Sequence, residues 1–218
     1  MPGVCTDVRL HSDVPEGLTV AVIVAATADW GIGSGSTSTP WRLPQEQQRM
    51  QDATLSTTSP NMRNAVVMEP EAFLARYADG TPPSSQLAVL LSSEPGTVAH
   101  LLSSNVCSAK SMDDAIAMLA ARTDIETAFI TGGAKAIDAA TAHPRCSVVH
   151  ITRILNTGVK CAVSMAPLQD TDWVMAREDR QTVRRKCDSG DRPLALCRGS
   201  GVNYLSNGQA HEAPARKI

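Results

Sequence analysis

The residues that could do chemistry concentrate in one stretch of this 218-residue chain, VAVIVAATADWGIGSGSTSTPWRLPQEQQRMQDAT at positions 20–54. Glu46 stands five residues after Trp41, and Ile23, Leu43 and Met50 form an apolar flank for it. Withdrawal from water raises a carboxyl pKa, so in that setting Glu46 is a usable general acid or base near neutral pH. Spacing alone also fits an ordinary surface glutamate, since Gln45, Gln47 and Gln48 surround it. Thr152 in HITRI (150–154) and Trp41 add a hydroxyl and an indole N–H able to orient a proton or a water. By propensity alone they are a β-branched strand residue and a core aromatic. Two glycine pairs complete the set. Gly31 and Gly33 in GIG suit a loop needing freedom or positive backbone angles. Gly132-Gly133 in ITGGAKAI (130–137) stands where backbone N–H groups approach an anion, or where a strand simply turns into a helix.

Periodicity places these residues on elements. Leu18–Ala26 is a continuous apolar run of strand length, the pattern of a strand buried on both faces. Pro44–Thr54 reads as a helix with Gln45, Gln47, Gln48 and Gln51 outward and Leu43, Met50 and Ala53 inward. Ala65–Met68 is a short strand, and Pro70–Tyr77 a helix with proline in its first turn, where a missing N–H costs little. Further strands fall at Leu87–Leu91, Ala128–Thr131 and Val148–Ile154. Helices fall at 111–122, capped by Ser111 with Asp113 and Asp114 at its positive end, and at Ala134–Ala142. Strands alternating with helices predict an α/β fold with a mainly parallel central sheet flanked by helices. Beyond 168 the pattern weakens to late antiparallel strands at Trp173–Ala176 and Ala195–Tyr204, a polar loop over 184–193 and a frayed tail at 206–218.

Composition bounds the function. Twenty basic and 22 acidic residues leave a net charge of −2, and Arg184-Arg185-Lys186 reads as a solvated face, so nucleic acid is not expected as a partner. Six cysteines form no CxxC pair, no metal site is expected, and no apolar run is long enough for a membrane helix. The N-terminal 17 residues carry charges and proline where a secretory signal has its apolar core, and a cytoplasmic setting follows. The expected organisation is an extension at 1–17, one domain at 18–205 and a tail at 206–218, with oligomeric state left open.

The strand leading into GIG, Pro40-Trp41 with Glu46, ITGGAKAI and HITRI together resemble dihydrofolate reductase over residues 19–168. The resemblance implies a dihydrofolate reductase-like fold. It implies that Glu46 is the ionisable group of the pterin pocket, that Thr152 faces it and that Trp41 closes it, so these three form the expected catalytic set. It implies substrate contacts at Ile23, Thr39, Gln47, Met50, Gln86, Thr131 and Ile137. For a retained cofactor it implies Gly31, Gly33, Ser92, Lys110, Gly132 and Gly133.

Departures from the family pattern bear on the reaction. Where the family has glycine, a basic residue and threonine before the second helix, this chain has Glu69-Pro70-Glu71-Ala72. Like charges about 4 Å apart repel by roughly 4 kcal/mol at an effective dielectric of about 20, so two carboxylates oppose an arriving phosphate, and Lys110 remains as the plausible cation. The arginine that clamps a folate carboxylate is replaced by Gln86, the tyrosine near the nicotinamide by Ile137, and aromatic packing is thinned at Gln47 and Met50. The sequence therefore predicts an enzyme diverted from folate reduction. Its expected reaction is a non-hydride isomerisation or cyclisation of an apolar small molecule in specialised metabolism, with Glu46 moving the proton and no cofactor favoured. The alternatives are an NADPH-dependent reductase of dihydrofolate or a related substrate, and a non-catalytic ligand-binding or resistance protein.

Overall fold

Strand β1 (Thr19–Thr27) lies inside the sheet, with β6 (Ile125–Gly132) on one side and β7 (Cys146–Leu155) on the other, all parallel. Its apolar run is explained by that position: Val20, Val22 and Val24 pack on one face, Ala21 and Ile23 on the other. In the computed structural model of the protein, residues 17–33, 39, 41, 43–155, 160–169, 173–185 and 192–203 are described.

Outward from β6 run β3 (Arg63–Met68), β4 (Gln86–Leu91) and β5 (Val106–Ala109), also parallel. Beyond β7 the antiparallel pair β10 (Arg192–Asn203) and β9 (Trp173–Arg185) completes the order β5-β4-β3-β6-β1-β7-β10-β9. Six parallel strands and late antiparallel ones agree with the expected α/β architecture. The late strands are longer than expected, because β9 and β10 pair with each other over most of their length; of the loop expected at 184–193, residues 184, 185, 192 and 193 lie in these strands and 186–191 lie outside the described residues. Residues 1–16 of the expected extension, the whole of the expected tail at 206–218 and residues 34–38 lie outside the described residues.

The helices are α1 (Pro44–Leu55), α2 (Pro70–Arg76), α3 (Met112–Ala120) and α4 (Ala134–Thr141). Ser111 Oγ accepts the Asp114 N–H at 3.1 Å, the expected cap of α3. Gly133 opens α4 at φ +85°, a conformation that glycine adopts without strain. The α1 pattern holds: Gln45, Gln47, Gln48 and Gln51 are exposed, Leu43 is buried, and Met50 and Ala53 are partly buried.

Three short strands lie outside the expected set: β5, at the edge of the main sheet, and two more that form a sheet of their own. β2 (Gly31–Gly33) pairs with β8 (Val163–Ser164) in a separate two-stranded sheet. A Cβ at Gly31 would stand 2.5 Å from Cys161 Cβ and 2.9 Å from Thr27 Oγ1. Close packing thus gives a reason for glycine at Gly31 that the sequence did not show.

Candidate active site

The carboxylate of Glu46 is held from two directions. Pro44 starts α1, and one helical turn brings Glu46 to the side facing the sheet, where it is 3% exposed. Across from it, Thr152 on β7 pairs in register with Ala25 of β1 and is fully buried. The Thr152 hydroxyl donates to Glu46 Oε1. Arg49, three residues along α1, donates to the same oxygen through Nε at 3.0 Å and Nη2 at 2.5 Å, and its Nη2 also lies 3.0 Å from Thr152 Oγ1. The surface-glutamate alternative is thereby removed. The expectation of a single ionisable group in an apolar flank is corrected, because a guanidinium sits against the carboxylate. Arg49 was missed by the sequence reading, although the i,i+3 spacing on a helix is the signal that marks such pairs.

A cleft of about 1320 Å³ opens beside this group. Trp41, 5% exposed, forms part of its wall and packs with Leu43 and Ile154. Thr39, whose hydroxyl donates to the Trp41 carbonyl at 3.2 Å, lines it with Gln47, Met50, Thr131 and Ile137, as expected. The Ile23 side chain is turned by strand alternation into the core with Ala21, which leaves only its backbone for the substrate contact expected there; Val24 and Ala25 represent β1 in the wall. Gly31 also stands off the cleft wall, whereas Gly33 reaches it.

Gln86 also borders the cleft, and its amide is held within the fold. It is 1% exposed, accepts the Tyr77 hydroxyl on Oε1 at 2.5 Å and donates Nε2 to the Thr54 carbonyl at 3.1 Å. Both ends of its amide are engaged within the fold, joining β4 to the end of α1. The guanidinium at this part of the wall belongs to Arg76, which lines the cleft, donates to Thr54 Oγ1 at 3.1 Å and lies 5.5 Å from the Tyr77 ring centroid. Burial pushes the Tyr77 phenol above its usual range, with the Arg76 charge pulling the other way.

The cleft continues to Gly132, Gly133, Ala134 and Lys135 at the start of α4. A neighbouring cavity of about 620 Å³ is lined by Ser92, Ser93, Lys110, Ser111 and Lys135 among others. Lys110 is therefore joined by a second lysine, and a cation two residues after the Gly132-Gly133 turn was the signal for it. Glu69 and Lys135 border both spaces. Glu69 precedes α2, yet its side chain does not cap that helix. It crosses to α4, where Oε1 accepts the Ala136 N–H at 3.2 Å. No group of histidine, cysteine or acidic side chains suited to a metal ion occurs among the described residues.

Fold and site together define an α/β enzyme domain built around one buried, hydroxyl-held carboxylate. Residues 19–190 match the family Dihydrofolate reductase, and the chain belongs to that family. It is 33% identical over 156 residues to the bifunctional dihydrofolate reductase-thymidylate synthase of Glycine max, covering 70% of this chain and 29% of that protein. The chain thus spans under a third of the length of such bifunctional relatives. It is 29% identical over 184 residues to the dihydrofolate reductase of Drosophila melanogaster, covering 84% of this chain and 92% of that one. Among solved structures, dihydrofolate reductase from Enterococcus faecalis, complexed with NADP(H) and RAB-propyl, superposes with a TM-score of 0.64 at 18% identity, covering 85% of this chain and 96% of that chain. Among the described residues, no helix is long and apolar enough to cross a membrane.

Proposed function

We propose that this chain is an NADPH-dependent reductase of dihydrofolate or a closely related pterin. The observation that carries the reading is the Thr152–Glu46–Arg49 group beside a cleft that runs on to the Gly132-Gly133 turn. The relatives are named as reductases, which favours this reading over the isomerase or cyclase drawn from the departures in sequence. Two features of the site fit the cofactor. Thr131 Oγ1 is buried without a hydrogen-bond partner among the described residues, and Thr131 borders the cleft. Lys110, Lys135, Ser92 and Ser93 border the adjoining cavity as donors for phosphate oxygens. Gly132, Gly133, Lys135 and Lys110 would hold NADPH, which when bound supplies a hydride to a ring carbon of the substrate.

Reduction of a C=N bond by hydride leaves the nitrogen in need of a proton. Glu46 is the group of this chain that orients the pterin and supports that protonation, and Thr152 and Arg49 fix its carboxylate in place. Trp41 excludes water from one side of the site. Arg76 offers a charge-assisted contact to the carboxylate tail of a folate, in place of the clamp lost at Gln86.

The test is a steady-state assay with dihydrofolate and NADPH followed at 340 nm. Turnover within about 1–1000 per second is expected. NADPH binding without turnover of dihydrofolate would point to another substrate. A second reading, proton transfer without hydride, is favoured by one observation, the Glu69 carboxylate at the start of α4. Absence of NADPH binding would leave that reading in place of the first.

A further inference from the structure

An anion already sits at the start of α4. Gly133 contributes no side chain there, and a Cβ on it would stand 2.5 Å from Glu69 Oε1 and 2.6 Å from Glu69 Cγ. The space beside the glycine turn is therefore filled by the Glu69 side chain, whose Oε1 takes the Ala136 N–H. Gly132 also faces a close neighbour, since a Cβ there would meet Ala72 Cβ at 2.8 Å. Glu69 is anchored by its backbone as well, its N–H donating to the Gly132 carbonyl at 3.3 Å. The same side chain borders both the large cleft and the smaller lysine-bearing cavity, so it lies on the path that joins them.

We propose that Glu69 is a specificity-determining residue: its carboxylate holds the seat at the start of α4 that a dinucleotide diphosphate would need, so a diphosphate binds there only by displacing it. Three physical arguments support this. A backbone N–H that already has a charged acceptor offers less to a second one. The positive end of a helix is largely compensated once one carboxylate has reached it. The displaced carboxylate would remain next to the incoming phosphates, a like-charge pair. Glu71, also on the cavity wall, adds negative charge. The consequence is a chain whose affinity for dinucleotides is set low by one side chain, with Lys135 and Lys110 working against it.

This inference rests on the reductase reading for its natural ligand, so the experiment separates the two. The full chain, labelled with ¹⁵N, is titrated with inorganic diphosphate while the Ala136 amide resonance is followed in wild type, Glu69→Gly, Glu69→Gln and Glu71→Gln. NADPH binding by nicotinamide fluorescence and dihydrofolate turnover are measured on the same samples. Diphosphate affinity should rise about tenfold or more in Glu69→Gly, a change equivalent to ~1.4 kcal/mol. It should rise less in Glu69→Gln, which keeps the side chain but not its charge, and least in Glu71→Gln. If Glu69→Gly fails to fold, Glu69→Gln decides. Equal diphosphate affinity in wild type and both Glu69 variants, or no binding by any of them, overturns the proposal, even if dihydrofolate is turned over. A gain in diphosphate binding without turnover in any variant upholds the proposal and removes the reductase reading.

Discussion

Thr152 on β7 donates its hydroxyl to Oε1 of Glu46 on α1, joining residues 106 positions apart in the chain. The bond ties the first helix to the strand that also carries the sheet on toward β10. It does so at a depth where Glu46 is 3% exposed and Thr152 fully buried. A carboxylate removed from water needs such donors, because an unsatisfied buried charge is strongly unfavourable. Arg49 supplies a second donor to the same oxygen. Positioning of the Glu46 carboxylate and stability of the domain therefore rest on the same contacts.

Glu46→Gln keeps the shape of the side chain and much of its hydrogen bonding but removes its ability to exchange a proton. The rate of substrate reduction should fall by roughly 10²–10⁴-fold with the protein still folded. Single-turnover measurement with saturating cofactor reads this step. Thr152→Val should reduce the rate less, since Arg49 still holds the carboxylate. Full activity in Glu46→Gln would remove this carboxylate from the chemistry.

Arg49→Leu should cost stability as well as activity. Breaking a fully buried ion pair costs about 3–5 kcal/mol, but Arg49 is 36% exposed, so water can replace part of the lost contact. A loss of about 1–2 kcal/mol is expected from these limits. Urea unfolding of the variant against wild type measures it. An unchanged midpoint would mean that Thr152 and solvent suffice for Glu46.

The α/β order and the Glu46–Thr152 pair were legible in the sequence for different reasons. Strands such as β1 announce themselves by unbroken apolar runs, and α1 by its outward glutamines. The pairing of residue 46 with residue 152 has no local signal and was reached through the resemblance of HITRI and the Trp41 region to a family. Where partners are distant and no motif names them, the reading failed. The internal partners of Gln86, the Tyr77 hydroxyl and the Thr54 carbonyl, have no signal in TPPSSQLAVLL. Glu69 stands out in the sequence as a charge beside an expected phosphate site, but its partner on α4 lies 67 residues away and has no local signal. β2 and β8, three and two residues long, are too short for periodicity to detect.

Gln86→Leu tests the structural role now assigned to that residue. It would leave the Tyr77 hydroxyl and the Thr54 carbonyl without their partner in a buried setting. The expected loss of stability is about 1–3 kcal/mol, seen as a lower denaturant midpoint. If substrate affinity changes while the midpoint does not, the ligand-contact role is restored.

Cys146 gives the fold a specific weakness in alkali. It is fully buried, and loss of solvation pushes its thiol up to about 12 from a usual 9.0. Below pH 9 the thiol is protonated in both folded and unfolded chains and has no effect on the pH dependence. Between about 9 and about 12 the unfolded chain releases the proton while the folded one keeps it, so stability falls as pH rises. The slope for this one group approaches ~1.4 kcal/mol per pH unit. Cys146→Ala removes that contribution, so its unfolding free energy should decline less steeply than that of wild type between pH 9 and 10.5. Parallel curves would show that the thiol ionises freely in the folded state.

Arg76 replaces Gln86 as the candidate partner for an anionic substrate tail, and a substitution can distinguish a tail contact from a role in catalysis. Its guanidinium reaches the cleft wall while one N–H is held by Thr54 Oγ1 and the group lies near the Tyr77 ring. A contact far from the reacting atoms stabilises ground state and transition state alike, so its loss raises KM and leaves kcat unchanged. A charge-assisted hydrogen bond is worth about 1.5–3 kcal/mol, equivalent to roughly 10–150-fold in KM for dihydrofolate with Arg76→Leu. A reduced pterin lacking the glutamate tail should show the same KM with wild type and variant. A fall in kcat with both substrates would instead tie Arg76 to the packing of α1 through Thr54, and the anionic tail would then have to be held elsewhere.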